Sequence, residues 1–132
     1  MAAGRDAGRG WVRAMRQKML VILNDPPYGT ERSYNGLRLA GSLSRGDDAE
    51  VRVFLMGDAV GCAASNQKVP EGYYHLDRMI ESVARHGGEI ACCGTCLDAR
   101  GLEEDRLTKG AHRSSLEELA SWTLWADKVV SY

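Results

Sequence analysis

The 132-residue chain contains no apolar run approaching about 18 residues, which excludes a transmembrane helix. Its start lacks the apolar core of a secretory signal, so the chain reads as cytoplasmic. Its charges nearly cancel, at a formal net −1, and no overall basic field exists to hold a nucleic acid or an anionic membrane. No internal repeat or interdomain linker is found. Gly57-Asp58-Ala59-Val60-Gly61 lacks the G-x-G-x-x-G spacing of a dinucleotide site. The remaining composition is that of one globular domain. Hydrophobic residues make up 44%, enough to exclude disorder over most of the chain and to build a core without staples.

Charge is uneven along the chain. Residues 1–18 hold Arg5, Arg9, Arg13, Arg16 and Lys18 against Asp6 alone, a net +4, in a stretch rich in Gly and Ala. They read as a flexible basic tail, leaving 19–132 as the folded domain. A transit peptide or a basic arm for nucleic acid is the alternative, but a solvated leader explains the composition without a partner.

Past the tail, strand and helix patterns alternate. Met19–Leu23 is a continuous apolar run, as in a parallel strand covered on both faces, and Asn24-Asp25-Pro26-Pro27 ends it. The spacing predicts a helix over about 31–44, a strand over 51–56, and a loop over 61–72 with a helical turn near Ala63. A second helix is expected over 73–86, with Leu76, Met79, Ile80, Val83 and Ala84 as its stripe. Then come a short strand over 89–93, a short helix over 96–101, and an ambiguous stretch with a strand near 109–111. A last helix opens at Ser114 or Ser115, where Ser114 to Glu117 fits a capping box, and a strand over 128–132 closes the chain. This order implies an α/β fold, a single three-layer α/β/α sandwich with a mostly parallel sheet of about five strands. In such sheets chemistry gathers beyond the carboxyl ends of the strands. Three loops meet there, 24–30, 57–70 and 92–100.

All four cysteines lie in or beside the last two of these loops: Cys62, Cys92, Cys93 and Cys96. Cys93 stands at the mouth of the third strand just before a helix start, where unpaired N–H groups favour a thiolate. Arg100 follows Cys96 by four residues, hence on the same helical face, where its guanidinium could hold a thiolate or persulfide anion. Strand alternation turns one of Cys92 and Cys93 to the core, and Cys92 suits a buried thiol. Cys62 is open between packing and a second redox role. Asp25 and Asp58 each end a strand at this edge; they could accept backbone N–H groups or act as a base, and turn chemistry alone would explain both.

The chain resembles the DsrE/DsrF-like family over about residues 18–132. The likeness rests on Asn24-Asp25-Pro26 after the first strand, Gly57-Asp58-Ala59-Val60 after the second, Cys93 with Arg100-Gly101 after the third, and the closing Trp125-Ala126-Asp127-Lys128-Val129-Val130. The resemblance implies homotrimers or hexamers and persulfide transfer between proteins, with Cys93 at the carrier position. Sulfur donor and acceptor proteins would be its partners, and no cofactor is required. The extra thiols Cys62, Cys92 and Cys96 depart from the family's pattern. Cys96 could resolve a Cys93 persulfide as a disulfide, releasing sulfide.

Two other chemistries compete. A structural zinc wants four ligands, and the single C-x-x-C would need Cys62, His75 or His112 to complete it. A thioredoxin-like dithiol would place its C-x-x-C early in the fold and follow it with a cis-proline, and neither holds here. His86 fits a helix carboxyl end. A non-enzymatic oligomer whose thiols sense redox state is the rival outside catalysis. Tyr73, Tyr74, Trp122 and Trp125 offer more aromatic surface than so small a core readily absorbs, which favours an interface.

Overall fold

A computed structural model describes residues 16–132. Its five strands are β1 (Gln17–Leu23), β2 (Ala49–Leu55), β3 (Glu89–Cys93), β4 (Ala111–Ser114) and β5 (Lys128–Ser131). Its α-helices are α1 (Arg32–Arg45), α2 (Leu76–Arg85), α3 (Gly94–Ala99) and α4 (Leu116–Trp125). Two 3-10 segments, Gly57–Ala63 and Glu104–Arg106, complete it. The sheet order is β4-β3-β2-β1-β5, and every strand pair is parallel. The expected α/β sandwich is therefore what the chain forms, with a sheet that is parallel throughout. Gln17 and Lys18, counted with the tail from sequence, stand in β1, paired to Ala49 and Glu50. The rest of the tail, residues 1–15, lies outside the described residues.

Connectivity fixes which face each helix covers. The chain steps from β1 to β2 to β3 to β4 in one direction, and right-handed crossovers put α1, α2 and α3 on one face. The return from β4 across to β5 puts α4 on the other. Alternation along the strands agrees. Val53 and Leu55 face α1 and α2, while Arg52 and Phe54 face α4, where Trp122 meets Phe54 edge-on with ring centroids 6.0 Å apart. Phe54, Leu20, Leu23 and Leu37 are sealed from solvent, each contributing about 1.5–3 kcal/mol by its burial. Arg52 lies over the Trp125 ring at 3.9 Å and pairs with Glu89 at 2.8 Å.

The boundaries that moved did so for local reasons. α2 begins at Leu76, not Tyr73, because Tyr74 stays extended to stack on Tyr34 at 3.8 Å. β4 begins at Ala111, after a turn at Gly110 (φ +96°), where a Cβ would come within 2.4 Å of the Ala84 side chain. α3 begins at Gly94, two residues early, so Cys93 itself is its N-cap. The last helix is capped by Ser115, whose hydroxyl accepts the Glu118 N–H at 3.3 Å, one residue along from the expected pair. Of the four aromatics expected to crowd an interface, Trp122 is core, Tyr74 is stacked and Trp125 sits under Arg52. The exposed apolar side chains are instead Leu116, Leu124 and Val129 beside α4 and β5, with Tyr73 elsewhere.

Candidate functional site: a thiol pair at the carboxyl edge of the sheet

β3 runs Glu89-Ile90-Ala91-Cys92-Cys93, and its alternation separates the two adjacent thiols. Cys92 pairs in register with Leu55 and lies on the α1/α2 face; Cys93 follows Ala91 and lies on the face of α4. Both Cys92 and Cys62 are sealed from solvent. Burial pushes each of their thiols up to about 12. Cys62 lies under the first loop, with its sulfur 3.9 Å from the Asp25 carbonyl. Asp25 is occupied with its own loop: its carboxylate accepts the Thr30 hydroxyl and its carbonyl accepts the Ser33 hydroxyl. Neither Cys62 nor Cys92 is thus disposed to act as a nucleophile.

Cys93 and Cys96 are different. The chain turns directly from β3 into α3 through Gly94, which packs so closely on β4 that a Cβ there would lie 2.8 Å from the Ser114 carbonyl oxygen. This turn brings the Cys93 sulfur to 3.3 Å from the Thr95 hydroxyl. Burial alone would raise the Cys93 pKa. The Cys96 and Thr95 side chains, with the N–H groups of those residues, outweigh it and hold the thiol below its ordinary range. Cys96 is shifted the other way, by burial first and then by the neighbouring Cys93, against the lowering influence of the Gly57 N–H and Arg100. The Gly57 N–H reaches the Cys96 sulfur at 3.2 Å. Two sulfurs displaced in opposite directions are therefore built into one turn.

Arg100 is not on α3. It caps the helix, and its guanidinium donates to Asp58 Oδ1 at 2.7 and 3.2 Å and to the Cys96 carbonyl at 3.0 Å. It stands by Cys96, where its charge favours ionisation, and is not among the leading influences at Cys93. The turn is braced from β4, where the Arg113 guanidinium grips both oxygens of Asp98 at 2.7 and 2.9 Å. On the other face Glu118 accepts the Ser114 hydroxyl at 2.6 Å and pairs with His112 at 2.9 Å. These two contacts hold its carboxyl below the usual range.

The structure thus gathers Cys93, Cys96, Arg100 and Asp58, puts Cys62 and Cys92 beneath them, and leaves Asp25 to the first loop. The residues offered for zinc are scattered: His75 is the N-cap of α2 near Asp77, and His112 is engaged with Glu118. Among the described residues no group of three or more His, Cys, Asp or Glu is placed to hold a metal. Thr95, the Gly57 N–H and Gln67 were not read from sequence. Gln67 knits the second loop together, donating to the Cys62 and Ala64 carbonyls at 2.9 Å and accepting from the Tyr28 hydroxyl at 2.5 Å. A glycine placed directly after a strand is the one signal that could have flagged residue 57. Grooves of about 800 and 390 Å³ lie along α1 and at the opposite end of the sheet, and neither touches a thiol.

The model of the DsrE/DsrF-like family matches residues 17–132, the whole span from the start of β1. Protein YchN of Escherichia coli K12 is 39% identical over 117 residues, covering 88% of this chain and 99% of that one. An uncharacterized protein of Methanopyrus kandleri is 33% identical, covering 85% and 91%. The crystal structure of the E. coli ychN protein superposes with a TM-score of 0.82 over 88% of this chain and 99% of its own. A Methanobacterium thermoautotrophicum protein of unknown function shares the fold at 10% identity, with a TM-score of 0.70 over 88% and 99%. With the parallel sheet, the order of its loops and the family match all spanning the same residues, the chain belongs to the DsrE/DsrF-like family.

Proposed function

We propose that the protein carries sulfane sulfur on Cys93 in a sulfur relay, and that Cys96 discharges it. The observation that carries this reading is the opposite displacement of the two thiols within one turn: Cys93 favoured as thiolate, Cys96 held as its proton-bearing neighbour. Loading is a displacement at sulfur. The Cys93 thiolate attacks the outer sulfur of a donor persulfide, forms Cys93–S–S⁻, and the donor thiolate leaves. The persulfide passes its sulfur to an acceptor thiol, or Cys96 attacks Cys93 Sγ and sulfide departs, leaving a Cys93–Cys96 disulfide. Donor and acceptor are proteins with exposed thiols, meeting an open edge of the sheet in the cytoplasm.

The reading includes assembly. Leu116 (66% exposed), Leu124 (89%) and Val129 (44%) leave an apolar strip beside α4 and the edge strand β5. A symmetric homo-oligomer, a trimer or a pair of trimers, would cover it.

The test is intact-protein mass spectrometry of the full chain after brief polysulfide treatment. A +32 Da adduct (one sulfur atom) on Cys93, absent in Cys93→Ser and transferable to an acceptor thiol, is expected. A Cys93–Cys96 disulfide formed by oxidants with no adduct at any time would favour a redox sensor and defeat the carrier.

A further inference from the structure

Arg100 is a cation beside the turn that carries Cys96, yet its guanidinium is committed elsewhere than the Cys93 sulfur. Nε and Nη2 donate to Asp58 Oδ1, and Nη1 donates to the Cys96 carbonyl. Asp58 directly follows Gly57, whose N–H is on the Cys96 sulfur at 3.2 Å. One guanidinium therefore ties the segment after β2 to the turn that carries Cys96, and the tie closes on the second sulfur. Gly57 holds φ +55°, the left-handed region that only glycine enters without strain, so the turn that aims this N–H needs the residue found there. The ion pair itself is partly exposed, 63% at Asp58 and 35% at Arg100, and such pairs add little to global stability. Its effect is local geometry.

Resting on the reading that Cys93 carries sulfur and Cys96 resolves it, we propose that Asp58 and Arg100 are positioning residues for the resolving step alone. They hold the Gly57 N–H and a positive charge at the Cys96 sulfur so that it can ionise and close on Cys93. In that step the Cys96 thiol gives its proton to solvent and its thiolate attacks Cys93 Sγ. The bond from Cys93 Sγ to the outer sulfur breaks, and the outer sulfur leaves with the electron pair as HS⁻. The sulfane sulfur gains two electrons and the two cysteines are oxidised to a disulfide, so no further reactant enters. Gly57 and Arg100 favour ionisation of Cys96 against burial and against Cys93, whereas the leading influences that lower Cys93 are the Cys96 and Thr95 groups. Loading and resolution are thereby served by separate groups within one turn.

The test uses the full chain and splits the two steps in Asp58→Asn. Polysulfide loading of Cys93, followed by quenched mass spectrometry, is expected to keep the wild-type rate. Sulfide release and Cys93–Cys96 disulfide formation are expected to slow about tenfold at neutral pH, the size of one lost charge-assisted contact, with the pH midpoint of release moved upward. Arg100→Lys is expected to slow release as well, since a point charge cannot bridge Asp58 and the Cys96 carbonyl together. Loading and release falling together, or release unchanged in both variants, would overturn the proposal. A second measurement stands apart from sulfur chemistry: the pH profile of Cys96 alkylation in a Cys93→Ser background. Asp58→Asn is expected to move that midpoint upward, and an unmoved midpoint overturns the positioning role. A wild-type chain that never accepts sulfur, but whose Cys96 midpoint moves as expected, would fail the carrier reading and leave the clamp standing.

Discussion

Cys92 and Cys93 are neighbours in β3, yet one lies beneath α1 and α2 with Cys62 while the other opens on the edge of the sheet beside Cys96. The covered pair is sealed and pushed up to about 12. Of the edge pair, Cys93 keeps 8% of its surface exposed and Cys96 is half-buried, and the two are split, Cys93 lowered and Cys96 raised. The same side chain is a small hydrophobe in one place and, in the proposed relay, a nucleophile in the other. What differs is the number of donors within reach. At both sulfurs burial is the leading influence; at Cys93 the Cys96 thiol and the Thr95 hydroxyl outweigh it, while at Cys92 the neighbouring thiols reinforce it. The faces of the sheet differ in the same sense. Three helices and a 3-10 segment lie on the inner one, while a single ten-residue helix with Leu116 and Leu124 exposed covers part of the other.

The comparison breaks most sharply under alkylation. At pH 7 a thiol of pKa about 12 is ionised to about one part in 10⁵, so Cys62 and Cys92 are expected to stay unmodified by iodoacetamide in the folded chain. Cys93→Ser should remove the fast phase entirely and Cys92→Ala should leave it intact. A fast phase that survives Cys93→Ser would assign the reactive thiol elsewhere.

A smaller effect appears in stability at high pH. The folded pKa of Cys62 and Cys92 lies above the ordinary 9.0, so their contribution is complete below pH 9 and is lost as pH rises towards 12. Each thiol should cost about 1.4 kcal/mol per pH unit across that window. Urea unfolding of wild type against Cys92→Ala would measure it: the variant, less stable at pH 7 by about 1 kcal/mol, should lose less on going to pH 10.5. Parallel pH slopes in the two proteins would show that Cys92 ionises as readily in the fold as out of it.

The two sheet faces yield the third expectation. If the strip around Leu124 is covered by other copies, light scattering of the wild type at micromolar concentration should give a multiple of the 14.5 kDa chain, and Leu124→Glu should shift it towards monomer. A monodisperse wild-type monomer would remove assembly from the functional reading.

Much of this architecture was legible in the chain. The apolar runs at residues 19–23 and 89–93 marked strands, the stripe from Leu76 to Ala84 marked α2, and strict alternation of the two element types implied parallel pairing, because each crossover helix must return the chain in the same direction. The spacing of Cys93, Cys96 and Arg100 picked out residues that the fold brings together. Less legible were features in which one segment answers another far away in sequence. The capping serine and the starts of β4 and α3 depended on close approaches at Gly110 and Gly94. Arg100 lay four residues after Cys96, which suggested a partner on a helix face, but the helix ends before it and Asp58, forty-two positions away, takes the guanidinium.

The sequence by itself determined the fold class and the gathering of thiols at one edge of the sheet, since periodicity, glycine turns and the clustering of thiols are local properties of the chain. Strand alternation also pointed to Cys92 as the core thiol. Only the tertiary structure decided how each thiol ionises, because that depends on burial by helices elsewhere in the chain and on donors that folding brings within reach. The proposed division of labour between Cys93 and Cys96 follows from the same cause: desolvation and hydrogen bonding act through space, so a sulfur's charge is set by its surroundings in the fold.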